Sequence, residues 1–397
     1  MAAARGAIDR VVDAQRGELA QLARSIHEHP ELCFEEHRAA AWLADYLERA
    51  AGVAVERGVG GLATAVRARA GSGSGPRVAI FAEYDALPAI GHACGHNLIA
   101  ASAAGAFVAL AKTGGFPGTV ELVGTPAEEG GGGKIRLLEA GVFDGLSAAM
   151  MFHPLDRDIL AHPTLANMRL TLRYRGAPAH AAMAPGEGRS ALTACLDTFR
   201  LIDSQRVHFA DGVRVHGIVT NGGQAVNIIP EFAEAEFSLR ARSSNELQSV
   251  LATVRRCASG AALASGVEVE FVEKRGYREM WNNMAMAQRF GAALRELGRS
   301  PRDADPRVGA GSSDMGDISQ VVPSIHPWLA ICDEGESLCH EHRFAACAVS
   351  ERGFDTMVIA AKALARTAAD LLEQPELLAE ATREFSVQSA SGASHES

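Results

Sequence analysis

A chain of 397 residues with 47% apolar and 22% charged residues is long enough for two hydrophobic cores and has an ordinary globular balance. The net charge of −10 leaves no basic stripe for a phosphate backbone, and no run of about eighteen apolar residues is present to span a membrane. These features exclude a nucleic-acid binder and a membrane protein, and an N-terminus without the apolar block of a secretory signal sets the expectation of a cytoplasmic protein acting on a small molecule.

The chain opens with apolar residues at helical spacing from Ala7 to Ile26, and a second helix is expected over Glu36–Arg49 after the break at Pro30. Strands at Leu62–Ala68 and Val78–Phe81 follow, then a small-residue helix from Asn97 to Lys112, a strand at Thr119–Val123, a helix near Ile135–Glu139 and a strand at Ala148–Phe152. Alternating strands and helices indicate an α/β layer fold. Beyond Leu165 the order changes to strand, helix, strand, strand, helix, strand between Met168 and Val272, which is the βαββαβ pattern of a ferredoxin-like unit. Helical signals resume at Met284 and end in an Ala-rich helix from Arg352 to about Leu372. The expected organisation is a discontinuous catalytic α/β/α domain, residues 1–165 and 277–385, an inserted lid or dimerisation domain at 166–276, and a disordered polar tail at 386–397.

Four places carry chemistry. Ile90-Gly91-His92-Ala93-Cys94-Gly95-His96-Asn97 follows a strand that ends in Glu83 and Asp85, and so puts several ligand-type side chains at the carboxyl edge of a sheet. Glu128 and Glu129, followed by four glycines, stand at the end of a second strand, where one carboxylate can serve a metal and the other a base. His153 ends a third strand, and Cys339-His340-Glu341-His342 lies late in the chain; spacing alone does not separate His340 from His342. Cysteine, histidine and carboxylate together are the set expected for zinc or a similar first-row cation. The seven cysteines are odd in number and lack zinc-finger spacing, so all but Cys94 read as buried thiols.

The order of these motifs resembles the M20 metallopeptidase family, amidohydrolase branch. His27, Pro30-Glu31-Leu32, Phe34 and Glu36 are followed by AEYDALP (82–88), GHACGHNLIA (91–100), GTPAEEGGGGK (124–134), FHP (152–154), GAPAHAAMAPGEGRSAL (176–192), VNIIPEF (226–232) and GSSDMGDISQ (311–320). Asn97 and the 311–320 segment resemble the subgroup of dipeptidase-like and aminobenzoyl-glutamate-hydrolase-like members. The resemblance implies Cys94, His96, Glu129, His153 and His340 as metal ligands, the last because a Phe, here Phe344, stands four residues on. It implies Glu128 as general base and Asp85 as the partner that orients a ligand. His180 is implied as a catalytic residue for the oxyanion, from the chain's own insert or across a dimer, and Asn227, Ser313 and Asp314 as substrate-binding residues. The role of Glu83, where relatives often carry Asp, stays open. Two divalent metal ions per chain are implied, zinc first, with manganese, cobalt and nickel able to use the same donors. The implied reaction is hydrolysis of a small dipeptide or N-acyl (aroyl) amino acid, the substrate an amide with a free carboxylate, by a homodimer formed through the insert. Read from residues alone, Cys94 with His96 or His92 as base also fits a Cys-His nucleophile amidase, and the donor cluster fits a non-catalytic metal-binding scaffold.

Overall fold

The computed structural model describes residues 2–304 and 311–393. In chain order its elements are α1 (Ala2–Glu28), α2 (His37–Ala51), β1 (Val55–Arg57), β2 (Val66–Gly71), β3 (Arg77–Ala82), α3 (His96–Thr113), β4 (Thr119–Gly124), α4 (Gly133–Glu139), β5 (Ala148–Met150) and β6 (His153–Leu155). The insert contributes β7 (Ala166–Arg175), α5 (Ala191–Gln205), β8 (Arg214–Asn221), β9 (Phe232–Ala241), α6 (Ser244–Ser265) and β10 (Glu268–Arg275). Then come α7 (Met284–Glu296), α8 (Met315–Ser319), β11 (Ser324–Ile325), β12 (Trp328–Ala330), α9 (His342–Cys347), α10 (Glu351–Glu373) and α11 (Pro375–Ala393).

The main sheet has the order β1-β2-β4-β3-β5-β11. Its strands β4, β3, β5 and β11 run parallel, while β1 and β2 add an antiparallel edge. β3 and β4 are buried nearly throughout, as strands covered on both faces must be. The almost wholly buried α3 packs against them, and α1 and α10 pack against α3. The insert forms a separate antiparallel sheet, order β10-β7-β9-β8, with α5 and α6 packed on it. That order is the ferredoxin-like arrangement expected from the βαββαβ pattern. In β9 buried and half-buried residues alternate strictly, so one face carries the insert's core and the other is turned away from it. Apolar burial accordingly divides in two. One core draws on residues from Ile8 to Leu160 and from Met280 to Ala381, the other on residues from Ala166 to Ala262.

Two expectations change. The strand expected over Ala148–Phe152 splits, because β5 leaves the main sheet after Met150 and the chain pairs again as β6 with β12, His153 opposite Trp328. Residues 386–393, expected as disordered tail, continue α11 instead; residues 394–397 lie outside the described residues. α11 is docked by polar contacts that composition does not reveal. The Glu384 carboxylate accepts from the Met284 and Ala285 amides at the start of α7, and Asn283 Nδ2 donates to the Ala381 carbonyl.

Candidate metal and catalytic site

The site forms where β3, β4 and β5 end. After β3 the chain places Glu83 and Asp85, and the turn into α3 passes Cys94 and His96. Gly95 makes that turn at φ 75°, and a Cβ there would lie 2.8 Å from the Pro154 ring, so only glycine lets the helix start approach the His153 strand so closely. After β4 the chain turns through Ala127, which has a positive φ of 61°, and presents Glu128 and Glu129. Positive φ recurs at Phe34 and His340, strained positions held by tertiary contacts. The buried Glu36 carboxylate is one such contact. Its Oε1 accepts from the amides of both Phe34 and Ala127 at 2.9 Å, and its Oε2 accepts from Thr64 at 2.9 Å.

Donor atoms of Cys94, His96 and His153 lie within 4.8 Å of one another, as do those of Cys94, Glu129 and His340 and those of His96, Glu128 and Glu129. His96 is oriented through Nδ1, 2.9 Å from the Asp85 carbonyl and 3.1 Å from its carboxylate, which leaves Nε2 facing Glu83 Oε2 at 3.6 Å and Glu129 Oε1 at 3.9 Å. That Nε2 and that Oε1 are both buried without a hydrogen-bond partner. His153 Nδ1 donates to the Pro154 carbonyl at 2.7 Å, so the Nε2 lone pair is free; burial and then His96 lower this ring's pKa to about 3. His340 Nε2 stands 3.8 Å from Glu129 Oε2, and its side chain is 60% exposed. Cys339 and then burial push the Cys94 thiol well up, so a cation is needed to hold it as thiolate. Two unpartnered buried atoms facing each other, three imidazoles and a thiol fit a pair of divalent ions. His342 is in none of these donor groups.

Glu128 is buried, and burial followed by the Glu129, Glu83 and Asp314 carboxylates raises its pKa well above the ordinary value. Glu83, left open from sequence, forms a buried ion pair with Lys134, whose Nζ also lies 2.8 Å from Asp314 Oδ1. The Lys134 amide donates to Asp314 Oδ2 at 3.0 Å. Asp314 is thus engaged by Lys134 and lies off the cleft wall, whereas Ser313 is on it. The cleft encloses about 1160 Å³ between the main sheet and the insert. His180 and Asn227 are not on its wall. His180 is exposed in the insert, its Nδ1 accepts from the Ala182 and Met183 amides, and the Ala181 amide donates to the Asn227 carbonyl. Asn97 is structural, with its Nδ2 donating to the Ala23 and Ala348 carbonyls.

Several neighbours escaped sequence reasoning. Lys134 ends a motif already in view and could have been read from it. Tyr277 stands at the second domain junction, and the Asn167 and Tyr277 segments are tied there by hydrogen bonds of 2.9 and 2.8 Å. A Cβ on Gly276 would fall 1.7 Å from Asn167 Oδ1, so the two linking segments cross only with glycine.

The profile of peptidase family M20/M25/M40 matches residues 79–370, and the chain belongs to that family, whose members are hydrolases with this two-domain fold. Mouse Xaa-Arg dipeptidase is 39% identical over 398 residues, covering 96% of this chain and 91% of the mouse protein. A p-aminobenzoyl-glutamate hydrolase chain of Escherichia coli K12 is 30% identical, with 95% of this chain and 94% of that protein covered. Among solved structures, Bacillus subtilis YXEP, a dinuclear metal binding peptidase from the M20 family, superposes with a TM-score of 0.71 at 24% identity, covering 91% of this chain and 99% of that one. These relatives agree with the subgroup resemblance carried by Asn97 and residues 311–320.

Proposed function

We propose that this chain is a metal-dependent dipeptidase or acyl-amino-acid hydrolase with Cys94, His96, Glu129, His153 and His340 as ligands of two divalent ions. The observation that carries the reading is the opposed pair of partnerless buried atoms, His96 Nε2 and Glu129 Oε1, inside a ring of further donors. Zinc suits that set, and manganese, cobalt or nickel would also use it. When bound, the ions supply Lewis acidity and lower the pKa of a water. Glu128 takes the proton of the attacking water and returns it to the leaving nitrogen, a role suited to a carboxyl whose proton affinity burial has increased. Asp85 holds His96 in the tautomer with Nε2 turned to the site.

The names Xaa-Arg dipeptidase and p-aminobenzoyl-glutamate hydrolase both describe an amide whose amine half is an amino acid with a carboxylate. A matching cationic wall exists on the insert side of the cleft, where Arg240 and Lys274 have no ion-pair partner among the described residues. We assign the amine half of the substrate to that wall and Ser313 to its approach. The division into residues 1–165 with 277–385 and an insert at 166–276 rests on the two cores and on the Asn167–Tyr277 crossing. The insert's edge strand β8 and the exposed Val207, Ile218 and Val226 suit a homodimer contact, through which His180 and Asn227 of the partner subunit would reach the cleft. A Cys-His nucleophile is disfavoured because Cys339 and then burial push the Cys94 thiol well up, away from the thiolate that would attack.

The test is a screen of alanyl-arginine, acetyl-amino acids and p-aminobenzoyl-glutamate against protein reconstituted with each metal. Chelator-sensitive turnover that withstands thiol alkylation of the metal-loaded enzyme is expected. Turnover that persists without metal would overturn the reading.

A further inference from the structure

His326 lies in the two-residue link between β11 and β12, 1% exposed, on the wall of the cleft. Its ring is 5.6 Å from that of His153, yet it belongs to none of the donor groups that can hold a cation. Neither ring nitrogen has a hydrogen-bond partner among the described residues. Beside it stands Trp328, whose ring is 4.3 Å from that of His153 and 5.5 Å from that of His326, and whose Nε1 is also buried and unpartnered. Buried polar groups without partners are costly to the free protein and few in native interiors. Here two occur close together in the chain beside a catalytic ligand, and the metals do not account for either.

An imidazole in its neutral form offers one acceptor and one donor, and both His326 nitrogens are open to a group in the cleft. The amine half of the substrate is assigned to Arg240 and Lys274 on the insert side, which leaves this wall of the catalytic domain for the acyl half. Both relatives' names describe an acyl half that bears an amino group, the N-terminal amine of a dipeptide or the aryl amine of p-aminobenzoate.

We infer that His326, flanked by Trp328, is a specificity residue whose unprotonated ring nitrogen accepts a hydrogen bond from an amino group on the acyl half of the substrate. This rests on the amide-hydrolase reading above. A site built around such a bond rejects the analogue that lacks it, because its own polar group is then left unpaired. The amino-bearing substrate is therefore favoured over its deaminated counterpart.

The experiment compares alanyl-arginine with propionyl-arginine and p-aminobenzoyl-glutamate with benzoyl-glutamate, in wild type, His326→Phe and His326→Gln. Wild-type kcat/KM should favour the amino-bearing member of each pair by about 10-fold or more. His326→Phe should bring the ratio to about one, and His326→Gln, which keeps an acceptor, should retain part of it. Metal content should be unchanged. Metal-free His326→Phe should melt at or above wild type, since an unsatisfied imidazole has been replaced by an apolar ring. A preserved ratio, or a clear fall in melting temperature, would overturn the inference. Failure of the hydrolase reading is seen separately, as absence of turnover for all four compounds. In that case the subsite is judged by calorimetric binding of p-aminobenzoyl-glutamate and benzoyl-glutamate to Glu128→Gln protein, and equal affinities would dismiss it.

Discussion

The Tyr277 hydroxyl donates to the carbonyl of Glu128 and accepts from the amide of Gly130. One side chain from the junction between the domains thereby brackets the two carboxylates at the centre of the site. Tyr277 is also tied through its backbone to Asn167 on the other linking segment, so a rotation of the insert about this crossing would move the Glu128–Gly130 turn with it.

Tyr277→Phe should therefore lower kcat with little effect on metal content. The buried Glu128 carbonyl and the exposed Gly130 amide lose the hydroxyl but keep their bond to each other, a cost of about 1 kcal/mol, and a tenfold loss in kcat corresponds to about 1.4 kcal/mol. Steady-state kinetics with elemental analysis of the same samples is the check. An unchanged kcat would mean that the turn is held by the other contacts alone.

Glu128 and Glu129 are adjacent, but their surroundings divide their tasks. Glu129 faces His96 and His340 through separate oxygens, while Glu128 is the more buried of the two and has the raised pKa. Glu128→Gln should reduce turnover by about 10²-fold to 10⁴-fold with metal retained. Glu129→Gln should lose metal first. Metal analysis after dialysis distinguishes them, and the opposite pattern would exchange the two roles.

His180 is exposed and lies off the cleft of its own chain. If it serves a second subunit, His180→Ala and Glu128→Gln homodimers are each nearly inactive, and mixing them after dissociation should restore about a quarter of wild-type activity, because half the dimers are mixed and each has one intact site. A mixture that stays inactive while subunits exchange would remove the cross-subunit role.

Glu36 supplies a pH dependence. Burial and the nearby Asp85 carboxylate raise its pKa from 4.5 to about 7. Between those values the folded protein binds more protons at this position than the unfolded chain, so its contribution to stability is greatest below 4.5 and falls as pH rises through 7. Glu36→Gln, which keeps an acceptor for the Phe34 and Ala127 amides, should flatten the decline of urea midpoint between pH 5 and pH 7. An equally steep profile in the variant would place the titration elsewhere.

The turns that carry the proposed ligands were legible because each is local. Cys94 and His96 occupy one glycine-hinged turn after β3, and Glu128 and Glu129 another after β4, so strand ends and short motifs were enough to put them at one edge of one sheet. The βαββαβ insert was legible for a similar reason, since the alternation of buried and half-buried positions in β7 and β9 is a period-two pattern written along the chain. What sequence could not supply was distance between segments far apart in the chain. β6 and β12 have three residues each and no periodicity of their own, yet their pairing sets Trp328 beside His153 and brings the His326 link to the cleft. Asp314 had the composition of a substrate loop, and only the buried cation of Lys134, 180 residues earlier, commits it to structure. The helical end of α11 is decided likewise, by the Glu384 carboxylate capping the amides of a helix about 100 residues away, a stabilisation that exists only once both segments have docked.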